Sequence, residues 1–345
     1  MCLYSLRSKQ LFALASRSRL GSLELHSGTI RQLEFAVATQ EDSFSHLFSI
    51  SDDCSIAIWR RPVDNDSAKS ASPKHWECIR VMRRHKGPVR SLALHPTNRC
   101  AFSISEDKTL RIWNLLRGRQ AYATRLKVVA EGAEEVRCSP SGQRLLFIWP
   151  NRFDVVDLSV GDRQSNETET GKPIGLRLGS VQFEQPMSAT PVFFSEDDFD
   201  PFTDQPESSS DDASLFVFLL AGIGPFVKAF RCPLPQTFKC KGGHAENLGQ
   251  IKLPGKRIKE LRVLPSPEEL LTNTRRHRLV IAATTDATGS HIRGYIVNLD
   301  AFKHVETGDS FLPLFMYDIP GARVTSLAVE WTNSNSEPTD DAEVV

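Results

Sequence analysis

One pattern is written twice in the first third of the chain, and it restricts the fold more than any other feature. Residues 85–115 read HKGPVRSLALHPTNRCAFSISEDKTLRIWNL, and a looser copy runs from His26 to Arg60 as HSGTIRQLEF followed by HLFSISDDCSIAIWR. Each copy carries His-x-Gly, an alternating apolar run, Ser-x-Ser-x-Asp and then Ile-Trp. A His, a Ser and an Asp in one segment are also the ingredients of a hydrolase triad. A triad needs one exposed nucleophile in one pocket. Here the set is duplicated, and neither serine sits in a Gly-x-Ser-x-Gly elbow. A structural role for the repeated groups is the reading retained.

Spacing turns the repetition into an architecture. Trp59 and Trp113 are 54 residues apart, while Pro96 in LHPTNR and Pro140 in CSPSGQR are 44 apart. Removing the insert VDNDSAKSASPKHWE brings the first spacing near the second. The rest of the chain is dominated by short runs such as SLALH, TLRIWNL, RLLFIW, FDVVDL, RLVIAATT and RGYIVNL, each bounded by Gly, Pro, Asn or Asp, which read as strands. Only Ser266–Thr274 has a helical pattern. A period of about 40 to 45 residues, with His near its start and Ile-Trp near its end, is the mark of four-stranded propeller blades. The expected fold is therefore an all-β propeller with about five full blades plus partial ones.

The blades differ in quality along the chain. Residues 1–24 read as remnant strands of a first blade, 25–158 as well-formed repeats, 159–331 as degenerate blades, and 332–345 as a disordered tail. EEVRCSPSGQRLLFIWPNRFDVVDL keeps the strand rhythm without the His or the terminal Trp. VQFEQP and LFVFLLAGIGPFVKAFRC read as one blade split by an acidic insert at 195–214, whose eight carboxylates and no base predict disorder. A fifth copy runs from GKRIKELRVLPS to RGYIVNL, and a sixth begins at GARVTSLAVEW. Ser208 and Ser209 within the insert have carboxylates three residues on, a pattern that an acid-directed kinase could use.

His-x-Gly, Ser-x-Ser-x-Asp and a Trp six residues after the Asp resemble the WD-repeat pattern. That resemblance implies that the Asp occupies the turn between a blade's second and third strands, linked to the His, a Ser and the Trp. Carried onto this chain, the networks are His26, Ser51, Asp53 and Trp59, and His85, Ser105, Asp107 and Trp113, with Ser49 and Ser103 as the alternatives for the serine. Bottom-up, such links make sense without catalysis. A polar group between packed blades must be paired to avoid a desolvation cost of about 1–3 kcal/mol.

Other chemistries find little support. Lys plus Arg and Asp plus Glu number 42 each, so no global charge argument for nucleic acid exists. The distribution is uneven, however, with 21 basic against 11 acidic residues from Met1 to Lys127. Arg60, Arg61, Arg83, Arg84, Lys86, Arg117 and Arg119 could line one rim and touch RNA phosphate or an acidic protein surface. Solvated surface charge is the plainer account of them, since no stacking aromatics are interleaved. His244 and His291 read as loop histidines without a second His or Cys at zinc-ligand spacing. GGHAEN and GIGPF lack the order of a phosphate-binding loop. The seven cysteines form no CxxC pair and fit reduced thiols in an intracellular protein. The longest apolar run, LFVFLLAGIG, is too short to span a bilayer. No enzyme activity, cofactor, metal, membrane or small-molecule substrate is expected.

A closer resemblance covers nearly the whole chain and is strongest from Leu3 to Asp157. LYSLRSKQLFALASRSRLGSLELHSGTIRQLEF, RRHKGPVRSLALHPTNRCAFSISEDKTLRIWNLLRGRQAY and the late IPGARVTSLAV resemble the WD-repeat ribosome-biogenesis factors of the MAK-eleven type, known in animals as PAK-interacting protein. That resemblance implies a nucleolar scaffold in large ribosomal subunit assembly, with assembly factors, the pre-large-subunit particle and pre-rRNA as partners. For animal members it also implies inhibition of a p21-activated kinase by direct binding. The blade after Trp113 departs from the family pattern by losing its Trp, and the acidic insert is outside it. Family members begin about one and a half blades before the equivalent of LYSL, so the expectation is that this chain is N-terminally incomplete and that the whole protein has seven blades.

Overall fold

The computed structural model of the chain describes residues 2–5, 10–13, 19–22, 24–36, 46–60, 76–126, 130–139, 142–158, 176–182, 192–193, 216–233, 246–253, 257–265, 277–298, 313–321 and 327. These form five four-stranded antiparallel sheets and one three-stranded sheet, the blades of a β-propeller. The three-stranded sheet is β1 (Cys2–Ser5), β2 (Gln10–Ala13) and β3 (Arg19–Ser22). Blade 1 follows as β4 (Ile30–Phe35), β5 (His46–Ser51), β6 (Ile56–Arg60) and β7 (Glu77–Met82). Blade 2 is β8 (Val89–Leu94), β9 (Cys100–Ser105), β10 (Thr109–Asn114) and β11 (Arg119–Arg125). Blade 3 is β12 (Glu135–Cys138), β13 (Arg144–Trp149), β14 (Arg152–Asp157) and β15 (Leu176–Gln182). Blade 4 is β16 (Val192–Phe193), β17 (Phe216–Ile223), β18 (Phe226–Pro233) and β19 (Glu246–Lys252). Blade 5 is β20 (Arg257–Pro265), β21 (His277–Thr285), β22 (Gly289–Asn298) and β23 (Phe315–Pro320).

The sequence rhythm follows from this stacking. A second strand has hydrogen-bonded neighbours on both edges and a blade on each face, so HLFSIS and CAFSIS are buried at almost every position. Such strands read as near-continuous apolar runs with small residues, without a polar face. Outermost strands see solvent, and β11 is exposed along most of its length. The cores lie between blades. Phe48, Ile50, Ile56, Ile58 and Met82 of blade 1 meet Val89, Leu92, Leu94, Ala101 and Trp113 of blade 2. On the other face of blade 2, Ala93, Phe102, Ile104 and Leu110 meet Val136, Leu145, Phe147, Trp149 and Val156 of blade 3. Each fully buried large side chain stabilises the stack by about 1.5–3 kcal/mol.

One strand assignment differs from the sequence reading. Val181 and Gln182 of VQFEQP end β15, the outer strand of blade 3, pairing with Phe153 and Arg152. The split blade instead begins at β16, which pairs with β17 through Val192 and Leu220. VQF in the one and VFF in the other read alike, and nothing local in the sequence distinguishes the end of one blade from the start of the next. The acidic insert, Ser266–Thr274, His244, the tail and all of GARVTSLAVEW except Gly321 and Leu327 lie outside the described residues.

Candidate functional site

Two ends of each blade must be distinguished. The hairpin end holds the turn between the second and third strands, together with the connector that enters the first strand. In blades 1 and 2 this turn is three residues long, closed by bonds from the N–H of Cys54 to the carbonyl of Ser51 and from that of Lys108 to the carbonyl of Ser105. Cys54 (φ 68°) and Lys108 (φ 61°) take the left-handed conformation that such a loop requires at its last position. The Asp before each of them caps the turn. Asp107 Oδ1 accepts from the backbone N–H (2.9 Å) and hydroxyl (2.6 Å) of Thr109, and Asp53 Oδ1 likewise from Ser55 (3.0 and 2.5 Å).

The other carboxylate oxygen reaches the connector. Asp107 Oδ2 accepts from the Lys86 N–H (2.9 Å) and from His85 Nδ1 (3.0 Å); Asp53 Oδ2 accepts from the Ser27 N–H (3.1 Å) and from His26 Nδ1 (2.9 Å). The glycine of His-x-Gly follows from this contact, because the connector crosses directly over the turn. A Cβ on Gly28 would stand 2.6 Å from the Asp53 nitrogen, and one on Gly87 would stand 3.0 Å from that of Asp107.

Below the imidazole the chain of bonds continues to the indole. Ser103 Oγ lies 2.7 Å from His85 Nε2 and accepts from Trp113 Nε1 at 2.8 Å. Ser49 Oγ is 2.7 Å from both His26 Nε2 and Trp59 Nε1. The serine accepts the indole proton and donates its own to Nε2, which leaves Nδ1 protonated towards the Asp. Each ring also meets its Trp edge-on, at 6.4 Å in blade 1 and 6.1 Å in blade 2.

The linking serine is therefore Ser49 or Ser103, a correction to Ser51 and Ser105. Those two sit at the turn itself. Ser51 Oγ accepts the Asp53 N–H, while Ser105 Oγ accepts the Asp107 N–H and donates to the Gly87 carbonyl. Serines two residues apart share a strand face, so the spacing alone does not separate them.

Ser103, His85 and Asp107 thus have the connectivity of a hydrolase triad, and so do Ser49, His26 and Asp53. Their setting is closed. Ser49 and Ser103 are 0% exposed, and the hydroxyl of each is held between an indole and an imidazole. Burial opposes ionisation of Asp107, but hydrogen bonds from Thr109, Lys86 and His85 outweigh it and hold the carboxyl down to about 2. Asp53 is lowered in the same way, against burial, by Ser55 and His26. Burial also lowers His85 despite the neighbouring Asp107, which keeps the ring neutral.

Degenerate blades reach the same end by other residues. In blade 5, Thr288 donates to Asp286 Oδ1 through its N–H (2.7 Å) and hydroxyl (2.6 Å), the arrangement of Thr109 on Asp107. His291 comes from β22 rather than from a connector, placing Nε2 3.1 Å from Asp286 and Nδ1 2.7 Å from Asp318. The Asp318 bond raises the His291 pKa against partial burial, with Asp286 adding to it. The sequence reading of His291 as a loop histidine is corrected here. The Thr two residues after an Asp was the signal that could have found this turn. In blade 3, Trp149 donates its indole N–H to the Glu131 carbonyl (3.0 Å), pinning the connector without a His, and Arg152 stacks on its ring at 3.9 Å.

Inner strands carry a second polar system, which the sequence reading missed. Gln32 of β4 bonds the backbone of Leu92 in β8 through both amide atoms, at 2.8 and 2.9 Å. Ser91 in turn accepts from the Val136 N–H of β12 at 3.2 Å. Glu34, Glu135, Arg137, Glu260 and Arg262, from blades 1, 3 and 5, form a mixed charge cluster. Arg137 pairs with Glu135 and lies 3.5 Å from Glu34, and Arg262 lies 2.7 Å from Glu260. Burial pushes Glu260 up to about 7, against the pull of Arg262 and Arg137. Glu135 is raised for the same reason. Among the described residues, no group of three or more His, Cys, Asp or Glu is arranged to hold a metal ion, and no helix is long and apolar enough to cross a membrane.

The basic residues do not form one rim. Arg83, Arg84 and Lys86 lie on the connector at the hairpin end of blade 2, where the Lys86 N–H meets Asp107. Arg60, Arg117 and Arg119 lie at the opposite end. Arg60 pairs across the sheet with Glu77 and makes an ion pair with it at 2.5 Å, while Arg119 pairs with Asn114 beside the turn at 115–118. Arg61 lies outside the described residues.

Comparison with known proteins adds to this geometry. The family described as "WD domain, G-beta repeat" matches residues 76–114, the stretch that holds His85, Ser103, Asp107 and Trp113. The chain carries a WD repeat. Over 176 residues, 51% of the chain, it is 32% identical to "p21-activated protein kinase-interacting protein 1-like" of Gallus gallus, covering 41% of that protein. It is 31% identical over 128 residues to "Protein MAK11" of Saccharomyces cerevisiae, covering 34% of the chain and 28% of that protein. "Ribosome biogenesis protein ERB1" of Coccidioides immitis is 33% identical over 103 residues, 30% of the chain and 12% of that protein. The chain spans about two fifths or less of the length of these relatives. The first two names are those of the family that the motifs resemble.

Proposed function

We propose that the protein is a non-catalytic WD-repeat scaffold in assembly of the large ribosomal subunit, acting in the nucleolus. The observation that carries the non-catalytic part is the burial of Ser49 and Ser103, which commits both triad-like sets to holding turns. Similarity to MAK11 and to a ribosome biogenesis protein supports the process. A propeller whose triad-like sets are satisfied internally offers its two ends and outer edges as rigid binding surfaces, and function is then decided by what those surfaces hold. Assembly factors on the pre-large-subunit particle, with pre-rRNA beside them, are the partners proposed. The test is tagged-protein purification on a density gradient with sequencing of bound RNA. Co-sedimentation with pre-large-subunit particles and nucleolar enrichment are expected; a cytoplasmic protein free of pre-rRNA would refute the reading.

A second reading, negative regulation of a p21-activated kinase by direct binding, is favoured by similarity to the p21-activated protein kinase-interacting protein 1-like of Gallus gallus. It predicts capture of the kinase from cytoplasm and no association with pre-ribosomal particles.

A further inference from the structure

The end of blade 2 opposite the hairpin end carries several arginines that have no carboxylate partner among the described residues. Its two turns, HPTNR at 95–99 and NLLRGR at 114–119, contain no carboxylate. They are joined by a bond from the Leu115 N–H to the Arg99 carbonyl at 2.9 Å, so Arg99 stands beside Leu116 and Arg117. A further guanidinium enters from blade 1, where Arg80 Nη1 donates to the Arg117 carbonyl at 3.0 Å. Gly118 makes that entry possible. It adopts φ +59°, and a Cβ there would lie 1.5 Å from Arg80 Nη1. Arg80, Arg99, Arg117 and Arg119 are all exposed, and none has a carboxylate partner among the described residues.

In the middle of these arginines stands Leu116, 74% exposed, the most exposed of the large apolar residues described. At the hairpin end of blades 1 and 2 the inner-strand arginines are neutralised locally, Arg31 by a two-pronged contact with Asp52 at 2.7 and 2.8 Å and Arg90 by Glu106 at 2.5 Å. Arg83 and Arg84 also lie at the hairpin end, where the exposed large apolar residue on the neighbouring connector, Leu25, is 36% exposed against 74% for Leu116. Four guanidiniums without a carboxylate partner among the described residues, close to a solvent-facing leucine, occur at the opposite end of blade 2. Planar guanidinium forks match carboxylates two bonds at a time. An exposed leucine adds an apolar seat that a phosphate backbone would not use, and no Phe, Tyr or Trp lies in either turn to stack a base.

We infer that Arg80, Arg99, Leu116, Arg117 and Arg119 form a docking surface for an acidic protein segment that carries an apolar anchor residue between its carboxylates. The surface rests on the scaffold reading and names where one of its partners is held. It replaces a single basic rim with one end of one blade, and it adds Arg80, Arg99 and Leu116 to Arg117 and Arg119.

The test uses the full chain and a fluorescein-labelled dodecapeptide of glutamates with leucine at every fourth position, measured by anisotropy. Controls are a dodecapeptide of glutamate alone and a dodecamer of oligouridylate. The double variant R117E/R119E should weaken the leucine-containing peptide at least tenfold, and L116D should weaken it similarly. R83E/R84E, with the same change in net charge at the other end, should stay within twofold. Both reversed arginines use only backbone atoms in the fold, Arg117 bonding Asn114 and Arg80, so folding should survive. Gly118→Ala is a second variant that displaces Arg80 without changing charge, and it should weaken the peptide about threefold. Equal losses in R117E/R119E and R83E/R84E would reduce the surface to long-range attraction and overturn the proposal. So would tighter binding of oligouridylate than of either peptide, or equal binding of the two peptides. Retention of R117E/R119E on pre-large-subunit particles beside a failed peptide assay would refute the surface and leave the scaffold reading standing.

Discussion

Replacing Ser103 by alanine removes one hydroxyl and isolates two buried groups. Trp113 Nε1 loses its acceptor and His85 Nε2 loses its donor, and both side chains are buried between blades 1 and 2. An unsatisfied buried polar group costs about 1–3 kcal/mol, so the pair should cost about 2–5 kcal/mol. Ser105→Ala is the matched control two residues on. Its hydroxyl serves the Asp107 N–H and the Gly87 carbonyl at the turn, two bonds that are only partly buried, and the cost should be about 0.5–1.5 kcal/mol. Hydrogen exchange at the amides of β9 and β10 reads the loss locally, without requiring the whole propeller to unfold in one step. Ser103→Ala should lower protection there far more than Ser105→Ala. The reverse order, or equal effects, would refute the place given to Ser103 in the network.

Further outcomes follow from the same geometry. Asp107 has its carboxyl held low in the folded state, so its contribution is present at neutral pH and is lost as pH falls from about 4 towards 2; acid melts of Asp107→Asn should lose that part of the wild-type slope. Glu260 behaves oppositely. Its folded pKa is raised to about 7, so stability is greatest below the ordinary carboxylate range and declines as pH rises through 7; Glu260→Gln should flatten the fall in Tm between pH 5.5 and 8. Gln32→Ala cuts both amide bonds to the Leu92 backbone and should cost about 2–4 kcal/mol, seen as faster exchange at Leu92 and Val136. Gly28→Ala should destabilise blade 1 more than Gly87→Ala destabilises blade 2, because the clash with Asp53 is the closer one.

Much of the fold was legible because each blade repeats one solution. His-x-Gly, Asp and Trp mark places where a connector, a turn and an interblade face must meet, and those meetings leave fixed residue types at a fixed spacing. The choice between Ser103 and Ser105 was not legible, since both point to one side of β9 and only depth separates them. His291 escaped for a different reason. It replaces a connector histidine with one from the third strand, so the spacing changes while the turn keeps its Asp and Thr. The cluster of Glu34, Glu135, Arg137, Glu260 and Arg262 was hidden because its members are separated by up to 228 positions and meet only when the inner strands converge. The basic residues divided between two ends for a simple topological reason. Antiparallel strands place sequence neighbours such as Met82 and Arg83 at the far end of the sheet from Arg60 and Glu77.

The central physical claim is that the repeated serine, imidazole and carboxylate sets are shut inside the blades and react with nothing. Incubating the native protein with a fluorophosphonate probe and mapping the adducts by mass spectrometry tests this most directly. The account predicts no labelling of Ser49 or Ser103 above the level of other serines. Stoichiometric labelling of either one, abolished by changing His26 or His85 to alanine, would contradict it.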